Sequence, residues 1–320
     1  MRYVPLGESE LVVSVVGVGC NAFGTRIDEE QTASVVRAAV DAGITLFDTA
    51  DVYGNGKSEE LLGRALGSRR DDVVVATKFG MDLSGEDRLG GHGTRAYVRQ
   101  AVEASLRRLG TDRIDLYQLH RPDPLTPIEE TLGALSELVH EGKVRFIGSS
   151  NLAAWQVVDA DWVSRTAGLE RFVSAQNEYS LYNRLAEDEL VPACEAVGAG
   201  LLPYFPLAYG LLTGKYRRGE AAPEGSRLAG PEQASRLEGA NWDRIEALEA
   251  FASERGVSML TLAIGGLAAQ PAVASVISGV TRPEQVAANV EAAAWEPSAA
   301  DLAGLEELRE HSAFSYTTFA

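Results

Sequence analysis

Residues 73–120 hold one complete strand–helix–strand unit. Val73-Val74-Val75-Ala76-Thr77 is a short run of β-branched and small residues, followed by Lys78-Phe79-Gly80. Thr94 then opens a helical pattern with Val98, Ala101, Val102, Leu106 and Leu109 on one face, and Gly110 stops it. Ile114-Asp115-Leu116-Tyr117-Gln118 is the next extended run. An apolar run without strict alternation reads as a strand buried on both faces. A helix between two such strands is the connection that makes them parallel.

Working outward, the same unit recurs. Strands are expected at Ser14–Val18, Ile44–Asp48, Val73–Thr77, Ile114–Gln118, Val144–Ser149, Phe172–Gln176, Leu201–Tyr204 and Ala274–Ser278. Neighbours lie about 30 residues apart, with one gap of about 40 and a last gap of about 74. Helix starts fall between them. Asp28-Glu29-Glu30-Gln31 is box-like, and Thr126-Pro127-Ile128-Glu129 has a cap, a proline at the first helical position and an acid at the third. Gly43 and Gly142 mark helix ends. Eight strands alternating with helices close a (β/α)8 barrel, an α/β TIM barrel. The competing open doubly wound sheet would carry a glycine-rich phosphate turn after its first strand. Gly17-Val18-Gly19 runs into Cys20-Asn21-Ala22-Phe23-Gly24 and lacks that spacing.

Residues 3–13 precede the first barrel strand. Gly7-Glu8-Ser9 reads as the turn of an N-terminal β-hairpin that could plug the barrel floor. The long gap holds an irregular insertion, about 205–240, then helical patterns at about 242–255 and 258–268 as extra C-terminal helices. An insertion of this kind in a barrel belongs to the active-site face. No boundary divides the chain, so residues 1–320 are expected to form a single barrel domain.

Composition excludes several classes. The chain has 320 residues, 45% hydrophobic and 23% charged, enough apolar material for a large core and unlike a disordered polymer. Its formal charge of −17 argues against nucleic acid or an anionic membrane surface as partner. The uncharged stretch Met259–Val280 is broken by Gly265, Gly266 and Pro271, and reads as a helix and a strand rather than a membrane span. Cys20 and Cys194 show no disulfide or zinc spacing, and no metal site is expected. With no secretory pattern after Met1, a reducing, cytoplasmic setting is the expectation.

Catalytic groups of a barrel come from the C-terminal ends of its strands. Asp48, Lys78, His120, Asn151, Gln176 and Tyr204 stand at successive strand ends. Any one of them alone would pass for a rim ion pair or a packed side chain. Six in succession point to a site.

Asp48 with Tyr53, then Lys78, then His120, resembles the catalytic tetrad of the aldo-keto reductase superfamily. Further motifs are similar to the same family: Gly148-Ser149-Ser150-Asn151, Gln176-Asn177-Glu178-Tyr179-Ser180, Pro206-Leu207-Ala208-Tyr209-Gly210-Leu211-Leu212-Thr213-Gly214-Lys215, and Arg282-Pro283-Glu284-Gln285. The resemblance covers essentially the whole chain and is nearest the bacterial branch beside the potassium-channel β-subunit and aldehyde-reductase types. It implies an oxidoreductase that moves a hydride between NADP(H), with NAD(H) possible, and a small carbonyl or alcohol substrate.

The chemistry is consistent residue by residue. Tyr53 would donate the proton; a free phenol at about 10 is too weak an acid, and a Lys78 ammonium beside it would favour the phenolate. Asp48 would hold Lys78, and His120 would donate a hydrogen bond to the substrate oxygen. The resemblance places Ser150, Asn151 and Gln176 on the nicotinamide carboxamide and Tyr204 against its ring. Phe205, Pro206, Leu207, Gly210, Leu211, Thr213, Gly214 and Lys215 would follow along the cofactor to its pyrophosphate. Gly279, Thr281 and Arg282 would lie at the adenosine 2′-phosphate, at the capped start of the last helix, with Glu284 in the cap and Gln285 and Asn289 towards the adenine.

Departures from relatives are Phe205 for a small residue, Tyr209 for Gln, Gly or Arg, and Gly279-Val280 with Gln285 for a Lys-Ser pair and a later Arg. Cys20 lacks a nearby base for redox chemistry. His92, in the Leu83–Gly93 loop, reads as a solvated loop residue, with a substrate contact as the alternative; Phe314, Tyr316 and Phe319 read either as a tail that folds over the mouth or as a partly disordered end. Two other functions stay open: a non-catalytic nicotinamide-binding subunit, and a barrel lyase with Lys78 as Schiff-base nucleophile. The substrate's identity and the oligomeric state are not readable from the sequence.

Overall fold

The β-branched runs form one parallel sheet of eight strands in a computed structural model, which describes residues 1–83, 90–230 and 233–309. A hairpin comes first, β1 (Tyr3–Pro5) against β2 (Val12–Ser14), antiparallel. The barrel strands are β3 (Val16–Gly19), β4 (Leu46–Asp48), β5 (Val74–Phe79), β6 (Ile114–Leu119), β7 (Val144–Ser150), β8 (Phe172–Gln176), β9 (Gly200–Leu201) and β10 (Val276–Gly279). Strands β3 to β9 pair in chain order, and β10 pairs with β3. The remaining seam closes through Leu201 N to Ala272 O at 2.7 Å, Ala274 N to Leu201 O at 2.9 Å and Ile277 N to Pro203 O at 3.0 Å. The architecture is the (β/α)8 barrel.

Helices α1 (Glu29–Asp41), α2 (Lys57–Leu66), α3 (Arg95–Leu109), α4 (Ile128–His140), α5 (Ala154–Ala167) and α6 (Leu190–Val197) follow β3 to β8 in turn. After β9 come α7 (Ala234–Glu238), α8 (Trp242–Glu254) and α9 (Met259–Ala268); α10 (Pro283–Ala292) and α11 (Ala299–Glu307) follow β10. None of the described helices is long and apolar enough to cross a membrane. The insertion after β9 has a hydrophobic cluster of its own. Leu211, Leu212, Tyr216 and Leu228 pack there on Ile245, Leu248, Met259, Leu262 and Leu305. That cluster seats the insertion on α8, α9 and α11.

The hairpin closes the floor as expected. Leu6, Leu11 and Val13 are buried in one cluster with Leu46, Val74 and Ala274, at or just before the N-terminal ends of barrel strands, and with Leu116 and Leu202. Each such fully buried side chain contributes roughly 1.5–3 kcal/mol. Gly7 has φ +60° at the turn, and any side chain there would collide with the backbone of Gly198 and Gly200. Glu8 N donates to Gly198 O at 2.8 Å, fastening the turn to the start of β9.

Several boundaries differ from the sequence reading. The first expected strand is split: Ser14 belongs to the hairpin, and β3 begins at Val16. Ser14 and Thr45 exchange side chain–backbone bonds of 2.9 Å each way, which takes Ser14 out of the barrel ladder. The seventh strand ends at Leu201 rather than Tyr204, because Pro203 has no N–H to continue the ladder. Pro127 caps α4 instead of opening it, since its ψ of 136° is extended; the Thr126 hydroxyl donates to Asp123 at 2.8 Å and caps nothing. Helix α10 is not the last; α11 follows, capped by Ser298. Residues 84–89 of the Leu83–Gly93 loop, and Phe314, Tyr316 and Phe319, lie outside the described residues.

Candidate active site

Asp48 is the last residue of β4, and Lys78 lies within β5 rather than at its end. Lys78 Nζ donates to Asp48 Oδ2 at 2.7 Å and to the Thr49 carbonyl at 2.9 Å, and reaches the Tyr53 hydroxyl at 3.4 Å. Lys78 is fully buried and Asp48 nearly so. Burial works against the Lys78 charge, but Asp48 and Tyr53 outweigh it and leave its pKa above the ordinary value. The ammonium is therefore retained.

Tyr53 reaches this centre because the 49–58 segment folds as consecutive turns. Asp51 N donates to Lys78 O, Tyr53 N to Ala50 O and Ser58 N to Tyr53 O, each at 3.2 Å. Lys78 alone would depress the Tyr53 pKa, as the sequence reading expects. Burial outweighs it, so the hydroxyl is pushed above its ordinary value and stays protonated at neutral pH. His120 follows β6, with its N–H on Phe79 O at 2.7 Å. Its ring meets the Tyr53 ring edge-on, with centroids 5.8 Å apart. Burial, then Lys78 and Arg121, hold its pKa well below the usual histidine value, so the imidazole is neutral. Its Nδ1 is buried without a partner among the described residues.

Behind the tetrad lies an amide layer that crosses the barrel interior from alternate strands. Gln176 Nε2 on β8 donates to Asp48 Oδ1 at 2.8 Å, and Gln118 Nε2 on β6 donates to the same oxygen at 3.2 Å. Gln176 Nε2 also reaches Gln118 Oε1 at 3.3 Å. The Gln176 amide N–H groups are thus directed at Asp48 and Gln118, which leaves Oε1 as the part that can meet a carboxamide. Gln118 is absent from the sequence-derived site; the signal available was its position two residues before His120, on the same strand face.

The structure also brings Ser150, Asn151 and Tyr204 together. The Tyr204 hydroxyl donates to Asn151 Oδ1 at 2.7 Å, and Asn151 Nδ2 donates to His120 O at 2.9 Å. Asn151 takes φ +59° to make this link. The Ser150 hydroxyl donates to Gln176 O at 2.9 Å. Tyr204, Phe205 and Tyr209 then form a run of rings with centroids 5.0 and 4.3 Å apart. Phe205 and Tyr209 both have positive φ, at 53° and 60°, a costly backbone for bulky residues.

Over that run lie Arg227 and Arg236, with Arg26 close to Arg227. Arg227 sits 5.5 Å from the Phe205 ring and 5.1 Å from the Tyr209 ring, and Arg236 sits 3.8 Å from the Tyr209 ring. Burial, then Arg26 and Arg236, lower the Arg227 pKa, which marks the three cations as close neighbours. None of them makes an ion pair among the described residues, in a chain of charge −17. Asn21 Oδ1 and Ser278 Oγ are buried without partners among the described residues, at the C-terminal ends of β3 and β10 beside Gly279. Cations without ion pairs among the described residues suit an anionic group. The three arginines escaped sequence reading because they come from separate short segments, Arg236 from α7, Arg227 from a 3-10 turn and Arg26 from the turn before α1.

The chain matches the model of the aldo/keto reductase family over residues 15–310. It is 37% identical over 301 residues to a protein of Oryza sativa subsp. japonica named as a probable voltage-gated potassium channel subunit beta, covering 91% of each chain. The chain belongs to the aldo/keto reductase family. An Arabidopsis thaliana relative with the same printed name is 36% identical over 91% of each chain. A Glycine max relative named probable aldo-keto reductase 1 is 36% identical over 93% of this chain and 86% of its own. Membership makes the protein an oxidoreductase of a family that binds nicotinamide cofactors.

In this aldo/keto reductase, Thr281 and Arg282 open α10 as expected, but the cap comes from Gln285. Its Oε1 accepts from Thr281 N at 2.7 Å and Arg282 N at 3.2 Å, so that oxygen faces the helix start. Glu284 is exposed and outside the cap. Arg282 is exposed, without an ion pair among the described residues; Asn289 is buried on the same helix. Thr213 Oγ1 donates to Gly210 O at 2.6 Å, and Lys215 Nζ lies 5.2 Å from the Tyr216 ring. Cys20 and Cys194 are free and buried, and burial first, then Asp48, raises the Cys20 thiol well above its ordinary value. His92 is not a solvated loop residue: its ring packs on Tyr97 with centroids 4.9 Å apart.

Proposed function

We propose that this protein is an NADP(H)-dependent carbonyl reductase acting on an aldehyde or ketone. The carrying observation is the chain Asp48–Lys78–Tyr53, in which a buried, retained ammonium stands within reach of a protonated phenol. When bound, a nicotinamide dinucleotide supplies the hydride. Tyr53 supplies the proton to the carbonyl oxygen, and Lys78 stabilises the phenolate that remains. Asp48, braced by Gln118 and Gln176, keeps the ammonium in place. His120, being neutral, orients the same oxygen through one N–H.

For the cofactor, Ser150, Asn151 and the Gln176 Oε1 would meet the carboxamide, and Tyr204 with Phe205 the ring. Pro206, Leu207, Gly210, Leu211, Thr213, Gly214 and Lys215 would line the diphosphate, with Arg26, Arg227 and Arg236 supplying charge. Gly279, Thr281 and Arg282 would meet the 2′-phosphate, at the N-terminus of α10. The Schiff-base alternative would need Lys78 as a neutral amine, against its retained charge.

NADPH oxidation against sugars, aromatic aldehydes and dicarbonyls, with NADH in parallel, tests this reading. Turnover with NADPH in at least one class is expected. Tight NADPH binding with no turnover across the panel would replace it with the second reading. That reading, a nicotinamide-binding subunit of a larger assembly, takes its support from the names of the rice and Arabidopsis relatives.

A further inference from the structure

A second polar cluster lies behind the tetrad, on the outer side of β5. Side chains alternate across a strand, so Lys78 and its register partner Gln118 face the barrel axis while Thr77 and its partner Tyr117 face α2 and α3. There Thr77 Oγ1 donates to Glu59 Oε1 and Arg108 Nε to Glu59 Oε2, both at 2.6 Å. Asp51 is 1% exposed in the same layer, and neither of its side-chain oxygens has a partner among the described residues. The buried Tyr117 hydroxyl has none either. Tyr97 closes the cluster, its hydroxyl on Met81 O at 3.3 Å.

The charges here do not balance if Asp51 ionises. Glu59 already occupies the Arg108 guanidinium, so an Asp51 carboxylate would be a second negative charge in a buried layer, with the Val52 backbone N–H near it but no cation of its own. A neutral acid is far cheaper to bury than a charge. Burial, then Glu59, push the Asp51 carboxyl up to about 7, against the opposing pull of Arg108 and Lys78. The groups facing it are Glu59 from α2, Arg108 and Tyr97 from α3, Tyr117 from β6 and Lys78 across β5.

The backbone makes this layer matter to the site. Between Asp48 and Tyr53 the chain crosses from the barrel interior to the outer layer and back. Asp51 is the outer anchor of that excursion, with its N–H on Lys78 O.

We propose that Asp51 is a positioning residue for Tyr53: held as the neutral acid behind β5, it seats the 49–58 segment so that the Tyr53 hydroxyl meets Lys78, and loss of its proton loosens that segment. The proposal rests on the proposed role of Tyr53 only in its catalytic consequence; the loosening itself is independent of it.

Hydrogen exchange of residues 50–60 in the full chain, at pH 6 and 8.5 and corrected for intrinsic rates, tests the loosening. Protection in the wild type should fall on the order of tenfold: the folded segment keeps the Asp51 proton up to about 7 while an opened one has lost it, so opening gains about tenfold between pH 6 and 7 and levels off above that. Asp51→Asn, a permanently neutral isostere, should abolish the fall. Glu59→Gln removes the neighbouring carboxylate and should move the midpoint to lower pH. Equal protection of the wild type at both values, or an Asp51→Asn variant that keeps the fall, overturns the proposal. With a carbonyl that turns over, kcat rather than KM should drop through the same midpoint and stay flat in Asp51→Asn. A complete lack of turnover would count against the reductase reading and leave the exchange result standing.

Discussion

Lys78 Nζ stands 2.7 Å from Asp48 Oδ2 and 3.4 Å from the Tyr53 hydroxyl, so the ammonium belongs first to the carboxylate. Removing one partner of a buried ion pair leaves an uncompensated charge, which typically costs about 3–5 kcal/mol. Lys78→Met should therefore lower stability by an amount on that order, read by denaturant unfolding. It should also cut activity strongly. Any residual rate should have its pH dependence displaced upward, because the phenol loses the one cation that opposes burial. An active variant with an unchanged pH profile would remove Lys78 from proton donation.

Tyr53→Phe keeps the ring that meets His120 edge-on and deletes only the hydroxyl. A kcat loss of about 10²-fold or more is expected, with little change in dinucleotide affinity. Near-normal kcat in steady-state assays would contradict the assignment of the acid.

Gln118 and Gln176 share one acceptor, Asp48 Oδ1, but only Gln176 is assigned to the carboxamide. Each leucine substitution should destabilise the fold by about 1–3 kcal/mol, the usual cost of an under-satisfied buried acceptor. Calorimetric titration should separate them. Gln176→Leu should weaken dinucleotide binding and Gln118→Leu should not, while both lower kcat. Equal effects on binding would mean that the amide layer acts only as scaffold.

Arg227 and Arg282 should divide the cofactor between them. A charged contact to phosphate is worth about 1.5–3 kcal/mol, roughly 10–150-fold in affinity. Arg282→Ala should weaken NADPH by about tenfold or more and leave NADH nearly unchanged, since only NADPH carries the 2′-phosphate. Arg227→Ala should weaken both by about tenfold, because the diphosphate is common to both. Fluorescence titration of each cofactor into each variant reads the difference. If Arg282→Ala weakens NADH equally, or leaves NADPH untouched, the NADP preference loses its support.

The barrel was legible in the sequence because burial on both faces writes strands as β-branched runs, Val73–Thr77 being the plainest. Asp48, Lys78 and His120 were legible because polar side chains at the ends of such runs have few reasons to be there. What was hidden depended on tertiary detail. Gln118 sits inside a strand, and nothing local tells an amide that braces a carboxylate from one that fills space. Arg26, Arg227 and Arg236 come from segments too short to show a periodicity. Gln285 rather than Glu284 caps α10 because only the folded turn shows which side chain curls back. Ser14 left the barrel ladder for Thr45, a partner 31 residues away.

The hairpin that fills the floor with Leu6, Leu11 and Val13 closes the interior at that end. Under the proposed function, visitors to Tyr53 would then arrive and depart from the opposite end. A blind vessel imposes a queue. A dinucleotide settled along the Tyr204–Phe205–Tyr209 rings would go in first and come out last, and the smaller carbonyl would come and go above it.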